Sequence, residues 1–321
     1  MKILVHISRI IVAATFIFSG FVKLVDPLGS AYKFEEYFGY DVLNMEFLIP
    51  YALPFSIFLI LAEIMLGVML LVGFAPKLTS WSLLGIIVVF LFLTWYSAYY
   101  NKVTDCGCFG DAVKLSTWGT FYKNIVLVFF ILVLVLKANV IKPLISLNVA
   151  KWTTFLSFFL FLYITYHVLV HLPIIDFRPY AVGKNIPKGM KYIGDEEPAI
   201  HDFFLDSREG EDVTTKVLTT GKVLLVVAYD LSKSDKEGFS QVKSITDKAL
   251  KKGYLVYLLT SSMNEEFDSV KEEFNFNFDL LFCDGTTLKT IIRANPGIVT
   301  LQNGTVTGKW SWVDINTIKL Y

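Results

Sequence analysis

Five long apolar runs dominate the first 175 residues, near 4–25, 51–74, 78–100, 121–141 and 152–172. A helix that crosses a bilayer needs about 20 mostly apolar residues, and each run supplies that length. Water-soluble folds cannot bury five such stretches in so short a chain. The 321 residues are 54% apolar and 18% charged, with a mean hydropathy of +0.55, against about 45–50% and about 25% in soluble domains. That balance excludes an ordinary cytosolic enzyme, a disordered chain and a protein with a basic nucleic-acid-binding face. The net charge of zero conceals a division: residues 1–175 carry 11 basic and 8 acidic side chains, residues 176–321 carry 18 and 21. Lipid is the solvent of the first part and water that of the second.

The first run follows Lys2 and Arg9 but has no small-residue cleavage site, and Lys23 closes it. It reads as a retained span rather than a signal peptide. Only Gly73 to Lys77, with Pro76, separates the second run from the third, which predicts a tight helical hairpin. Alternate loops carry Lys2 and Arg9, then Lys77, then Lys137, Lys142 and Lys151, with no acid among them; the acidic residues gather in the other loops. By the positive-inside rule the N-terminus is cytoplasmic and the C-terminal part lies outside, in a bacterial periplasm.

Residues 173–190 contain three prolines and two glycines and read as a linker. Beyond it, 201–218 suggests two short strands around Glu209–Gly210. A buried strand over 222–230, a helix over 235–252, a strand over 254–262, a short helix over 263–274, a strand at FDLLFCD and a helix at TTLKTIIRA follow. Asn303–Gly304 between two alternating runs predicts a hairpin. This order, with PGIVTLQNGTVTGKW at 296–310, resembles the thioredoxin family, and Pro296 matches its cis-proline. Where thioredoxins carry C-x-x-C, this chain has Tyr229-Asp230-Leu231-Ser232-Lys233-Ser234. Cys283 lies in apolar surroundings and reads as a buried hydrophobe.

The chemistry-bearing motif is Asp105-Cys106-Gly107-Cys108-Phe109-Gly110-Asp111, at the outer lipid–water border. A bridge across C-x-C closes a small, strained ring, and strain makes a disulfide easier to reduce. Cys106 and Cys108 are therefore the candidate redox pair. A static bridge is a second reading, though so small a loop stabilises little. Metal ligation is a third, but two thiolates lack the further Cys or His of a closed site, so no metal is expected. His167 and His171 fall near the outer end of the fifth run. Glu63 sits mid-span, where a carboxylate is costly unless paired or protonated; it is a candidate proton or quinone site, or a packing carboxyl bonded to a neighbouring helix. Arg9 is expected to snorkel to the interface, and Gly20, Gly67, Gly73 and Gly85 to mark close helix contacts.

Phe18-Ser19-Gly20-Phe21-Val22-Lys23-Leu24-Val25-Asp26-Pro27 resembles the end of the first span in the DoxX family, and Ala62-Glu63 with Gly67 to Gly73 its second span. The C-G-C-F-G string is similar to the loop of the MauE-like branch of that superfamily. The resemblance implies an α-helical integral membrane bundle, a four-helix DoxX/MauE-like core (1–150) plus a fifth span (151–172). After the linker comes an α/β thioredoxin-like domain (191–321), a combination of the kind seen in Bacteroidetes. It further implies a redox role at the membrane, since MauE is associated with maturation of a disulfide-rich methylamine dehydrogenase subunit and DoxX proteins with sulfur-compound oxidation by quinone. The expected partners are the lipid bilayer and a periplasmic client protein with cysteines, with no nucleic acid. A membrane quinone is the cofactor such a role calls for. The alternative is a non-catalytic assembly or maturation factor whose thioredoxin-like domain binds a periplasmic partner.

Overall fold

A computed structural model describes residues 2–103, 109–113, 115–192, 194 and 197–321. It divides into two units, Met1–Val168 and Leu169–Tyr321. Among the described residues, five helices are long and apolar enough to span a membrane, so the chain is a multi-pass membrane protein.

In the first unit, α1 (Lys2–Val25), α3 (Ala52–Val72), α4 (Pro76–Tyr100), α5 (Thr117–Leu136) and α6 (Leu147–Val170) are these helices. A further amphipathic helix, α2 (Pro27–Phe38), lies between α1 and α3. It begins where Asp26 caps it, the carboxylate accepting from the Gly29 amide, with Pro27 at its first position. Gly73 (φ +78°) ends α3 and starts the short turn into α4. A Cβ on Gly20 would stand 2.7 Å from that of Ile64, and one on Gly67 would stand 2.8 Å from Ile17. These two glycines let α1 and α3 cross closely. Gly85 has open space around its Cα, so it is not the close-packing point expected of it.

Arg9 does not snorkel. It is buried, and its guanidinium donates to the Leu70, Leu71 and Lys142 carbonyls at 2.8–2.9 Å. Leu70 and Leu71 lie in the last turn of α3, whose carbonyls lack the usual helical donors; the Gly73 amide reaches Leu70, and the planar fork of Arg bonds both carbonyls together with the loop after α5.

The second unit is built on a five-stranded sheet ordered β3-β2-β1-β4-β5: β1 (Val223–Val227), β2 (Leu255–Thr260), β3 (Asp279–Phe282), β4 (Gly297–Gln302) and β5 (Thr305–Ser311). β1 is parallel to β2 and β2 to β3, while β4 and β5 run antiparallel. Every residue of β1 is buried, because apolar layers cover both faces. One layer includes α9 (Lys236–Lys251) and Phe267 of α10 (Asn264–Phe274). The other contains Phe203 and, from α11 (Gly285–Ile291), Leu288. Burying each such Phe contributes about 1.5–3 kcal/mol. Asn303 (φ +48°) and Gly304 (φ +71°) turn the predicted hairpin.

Two expectations need correction here. Residues 201–218 form no pair of strands: Asp206 makes isolated bridges to Asp212 and Phe282, and α8 (Thr214–Thr219) follows. The Asp212 carboxylate accepts from the Thr214 amide and the Thr214 hydroxyl accepts from the Leu205 amide, local bonds that turn the chain into a helix. Nor are residues 173–190 a free linker. Tyr180 and Ile186 enter the core, and α7 (Ile186–Gly189) forms there. The stretch runs along β5: Gly183 donates to the Val306 carbonyl, Val306 to Lys184, and Ile186 to Gly304.

Candidate functional site

In the first unit, a polar cluster forms where four helices meet. Lys23 and Ser19 are one turn apart on α1, so both reach α3. The Lys23 ammonium donates to the Glu63 carboxylate at 2.8 Å and to the Ser19 hydroxyl at 3.0 Å. Lys23 and Glu63 are 7% and 2% exposed, so their pairing offsets a desolvation cost that either charge alone could not bear. The Phe90 ring lies 5.1 Å from the ammonium. On the α4–α5 side, the Asn124 amide donates to the Thr94 hydroxyl at 3.2 Å, and that hydroxyl donates to the Phe90 carbonyl at 2.7 Å.

Two spaces adjoin the ion pair. A cleft of about 50 Å³ is lined by Lys23, Lys33, Phe34, Tyr37, Ile60 and Phe90, among others. Its walls come from α1–α4, and the Tyr37 and Ser97 hydroxyls bond at 2.9 Å near its edge. A smaller space of about 10 Å³ touches Ser19, Glu63, Phe90, Lys123 and Asn124, room for roughly one water.

Cys106 and Cys108 lie outside the described residues. Their flanks are described. Val103 is buried. Phe109, the residue after Cys108, packs on Phe18 with ring centroids 5.5 Å apart and under the Lys123 ammonium at 4.1 Å. A Cβ on Gly110 would stand 3.1 Å from Val22. The residues following the C-G-C motif are thus held against α1 and α5, and Lys123 also lines the small space at Glu63.

In the second unit, the Asn295–Pro296 peptide is cis. The position where thioredoxins carry their dithiol faces it. Asn295 donates to the Asp230 carbonyl at 2.9 Å, accepts from the Ser234 hydroxyl at 2.9 Å, and its own carbonyl accepts from the Asp235 amide at 3.2 Å. A Cβ on Gly238 would come within 3.0 Å of both Pro296 and Trp312, so glycine is what lets the first turn of α9 approach the proline. Burial alone would raise the Asp230 carboxyl, but bonds from Lys233 and Ser232 outweigh it and hold it below the usual carboxylate value. Cys283 is buried, and burial, reinforced by Asp284, pushes its thiol up to about 12. An inert thiol follows, as its apolar neighbours suggested. His171 meets Asp314 within this unit, with Nδ1 2.8 Å from Oδ1. Among the described residues, no three His, Cys, Asp or Glu side chains gather as a metal site.

The pairing of Lys23 with Glu63 was not readable from the sequence, although the Ser19–Lys23 spacing in the S-G-x-x-K string marks the face that makes it. Nor were Thr94, Asn124 and Lys123 singled out there; polar residues inside apolar runs were the available signal.

A helical membrane bundle followed by a thioredoxin-like α/β unit, with no cysteine at the dithiol position of that unit, defines the class of protein. Its membrane region is MauE-like: residues 1–137 match the family model described as methylamine utilisation protein MauE. Comparison with curated proteins gave no match. Two solved structures are similar to the chain. One is the thioredoxin domain of a thiol-disulfide oxidoreductase from Bacteroides vulgatus, at 16% identity over 40% of this chain and 87% of that one, with a TM-score of 0.30. The other is a thioredoxin-like protein from Bacteroides caccae, at 14% identity over 86% of this chain and 87% of that one, with a TM-score of 0.28. The strand order and the cis peptide before Pro296 define the fold independently of these two likenesses.

Proposed function

We propose that this chain is a multi-pass redox protein of the bacterial inner membrane, with its N-terminus cytoplasmic and its thioredoxin-like unit periplasmic. Cys106 and Cys108 cycle between dithiol and disulfide. In the oxidising direction, the bridged pair accepts a thiolate from a client protein, passes through a mixed disulfide, and leaves the client bridged and itself reduced. Reoxidation releases two electrons and two protons. A membrane quinone, when bound, accepts both. The chain's residues suit such a group: the cleft beside Lys23 joins aromatic and aliphatic walls to an ammonium that can donate to a ring oxygen. Glu63, bonded to that ammonium, is the proposed proton or quinone site.

The supporting observation is the placement of Phe109. Fixed by Phe18 and Lys123, it brings the residue next to Cys108 to the side chain that lines the space at Glu63. Trapping tests the reading. A Cys108→Ala variant, or Cys106→Ala, should accumulate mixed disulfides with envelope proteins, and blocking the respiratory chain should shift the pair's redox state in intact cells. If neither variant captures a client and the pair never changes state, the proposal fails.

One observation favours a second reading, a non-catalytic assembly factor. The thioredoxin-type site has no thiol, and the Asn295 carbonyl is already bonded to Asp235. On that reading, the double replacement of Cys106 and Cys108 by Ala leaves function intact, while changes around Ser232 and Pro296 abolish it.

A further inference from the structure

We propose that the smaller space beside Glu63 is a proton relay, in which one water bonded to Glu63 and Asn124 passes protons from Lys123 to the Glu63–Lys23 pair. The relay rests on the redox reading; the water site rests only on the geometry of the membrane bundle.

Two buried side chains line this space with an oxygen to spare. The Lys23 ammonium reaches Glu63 through Oε2, and among the described residues no hydrogen bond reaches Oε1. Asn124 gives its amide to the Thr94 hydroxyl, and among the described residues no donor meets its Oδ1. Glu63 is 2% and Asn124 1% exposed, so bulk solvent does not serve them. Neither oxygen is sealed against other atoms, and the space is what each opens onto. A buried acceptor without a donor costs about 1–3 kcal/mol, and ordered water is the usual remedy. The volume of about 10 Å³ holds roughly one.

Charge selects water over an ion. The ammonium groups of Lys23 and Lys123 flank a single carboxylate, so a metal cation is repelled, and an anion would face the carboxylate oxygen. A water donates to Glu63 Oε1 and Asn124 Oδ1 together and accepts from Lys123, a set of about three bonds, usual for a buried water.

The ion pair has the cleft on its other side. Lys23, Thr94 and Phe90 line the cleft, while Glu63, Asn124 and Phe90 line the small space. Lys123 is half-buried, with its ammonium on the ring of Phe109, so the path starts at the segment that follows the C-G-C motif. In the transfer, the Lys123 ammonium gives a proton to the water as the water gives one to Glu63, leaving an amine, a water and a carboxylic acid. Lys23 donates a proton to the ring oxygen of the quinone as it is reduced in the cleft, and Glu63 returns one to Lys23. Lys123 recovers its own from the outer water, into which the dithiol releases its two protons on oxidation. Two passages match the two electrons of one disulfide.

Two measurements on the full chain test this. X-ray radiolysis turns water into hydroxyl radicals that oxidise adjacent side chains, and mass spectrometry locates them. Phe16 lines the space and is 2% exposed, while Phe203 is fully buried in the core of the second unit. Oxidation severalfold higher at Phe16 than at Phe203 is expected; equal yields overturn the water site and the relay with it. Lys123→Arg keeps the charge over Phe109 but cannot release a proton. After a pulse of dithiothreitol in intact cells, maleimide trapping should show Cys106 and Cys108 reoxidising severalfold more slowly in this variant, with Phe16 oxidised as before. Reoxidation at the unsubstituted rate overturns the relay and leaves the redox reading standing. A pair that never reoxidises in the unsubstituted chain overturns both.

Discussion

The Lys23 ammonium lies 2.8 Å from the Glu63 carboxylate, both buried between α1 and α3. Each charge is tolerated because of the other. Glu63→Gln and Lys23→Met should each destabilise the bundle by about 3–5 kcal/mol, since each leaves one buried charge without its partner. The double variant should recover much of that loss. Thermal unfolding in detergent, arranged as a double-mutant cycle, measures the coupling; additive losses would show that the pair does not act as a unit.

The close crossing of α1 and α3 depends on Gly20 and Gly67. Gly20→Ala must push Ile64 away, and Gly67→Ala must push Ile17 away. Each should cost about 1–3 kcal/mol by overpacking. Gly85→Ala, in open space, should be neutral or slightly stabilising through helix propensity. The contrast between positions 20 and 85 in the same unfolding assay is the check.

Arg9 bonds three carbonyls from two segments. Arg9→Ala should lower stability by at least about 2–3 kcal/mol, because charged hydrogen bonds contribute about 1.5–3 kcal/mol each. Arg9→Lys keeps the charge but lacks the fork and should rescue only a minor part. Protease sensitivity of the loop containing Lys142 should rise in both variants.

In the second unit, Asp176 serves two cations. Burial alone would raise its carboxyl, but Arg178 and Lys309 outweigh that and hold it below the usual value. Its contribution is present above the usual carboxylate value and is lost as pH falls through the lowered one. Lys309 behaves oppositely: burial, with Arg178 adding, pushes its ammonium down to about 8 from 10.5. The unfolded chain then binds more protons between those values, so stability should rise from about pH 8 towards 10.5. Lys309→Met should flatten that rise, and Asp176→Asn should cost about 3–5 kcal/mol by stranding two cations. The midpoint of the soluble unit's transition, followed against pH in the full chain, reads both.

Phe109 packs on Phe18 and Lys123. Phe109→Ala should release the segment after the C-G-C motif and raise the alkylation rate of Cys106 and Cys108 by a membrane-impermeant maleimide severalfold. An unchanged rate would separate the anchor from the pair.

Much of the architecture was legible because its signals are local. Apolar runs of about 20 residues gave the spans, and the all-apolar run at Val223–Val227 together with Asn303–Gly304 gave the sheet core and its hairpin. What escaped depends on distant partners. Lys23 and Glu63 are 40 residues apart, and no periodicity links them. Arg9 looked like an interfacial residue because its acceptors, at Leu70, Leu71 and Lys142, belong to other segments. Residues 173–190 looked like a linker because proline and glycine mark irregular backbone. That backbone is irregular, but it is paired with β5. Helices α2 and α7 were missed despite local signals, the Asp26-Pro27 cap of one and the Asn185 cap with Pro187 of the other.

That paired stretch has a consequence for association. An open sheet edge is a template on which another chain can add a strand. On β5 the edge is occupied from Gly304 to Val306 by residues 183–186, and on β3 Asp206 caps Phe282 through backbone bonds in both directions. Strand addition is thus obstructed on both sides of the sheet, which protects the unit against edge-to-edge aggregation. It also means that a protein partner must be recognised through side chains and loops rather than by extending the sheet.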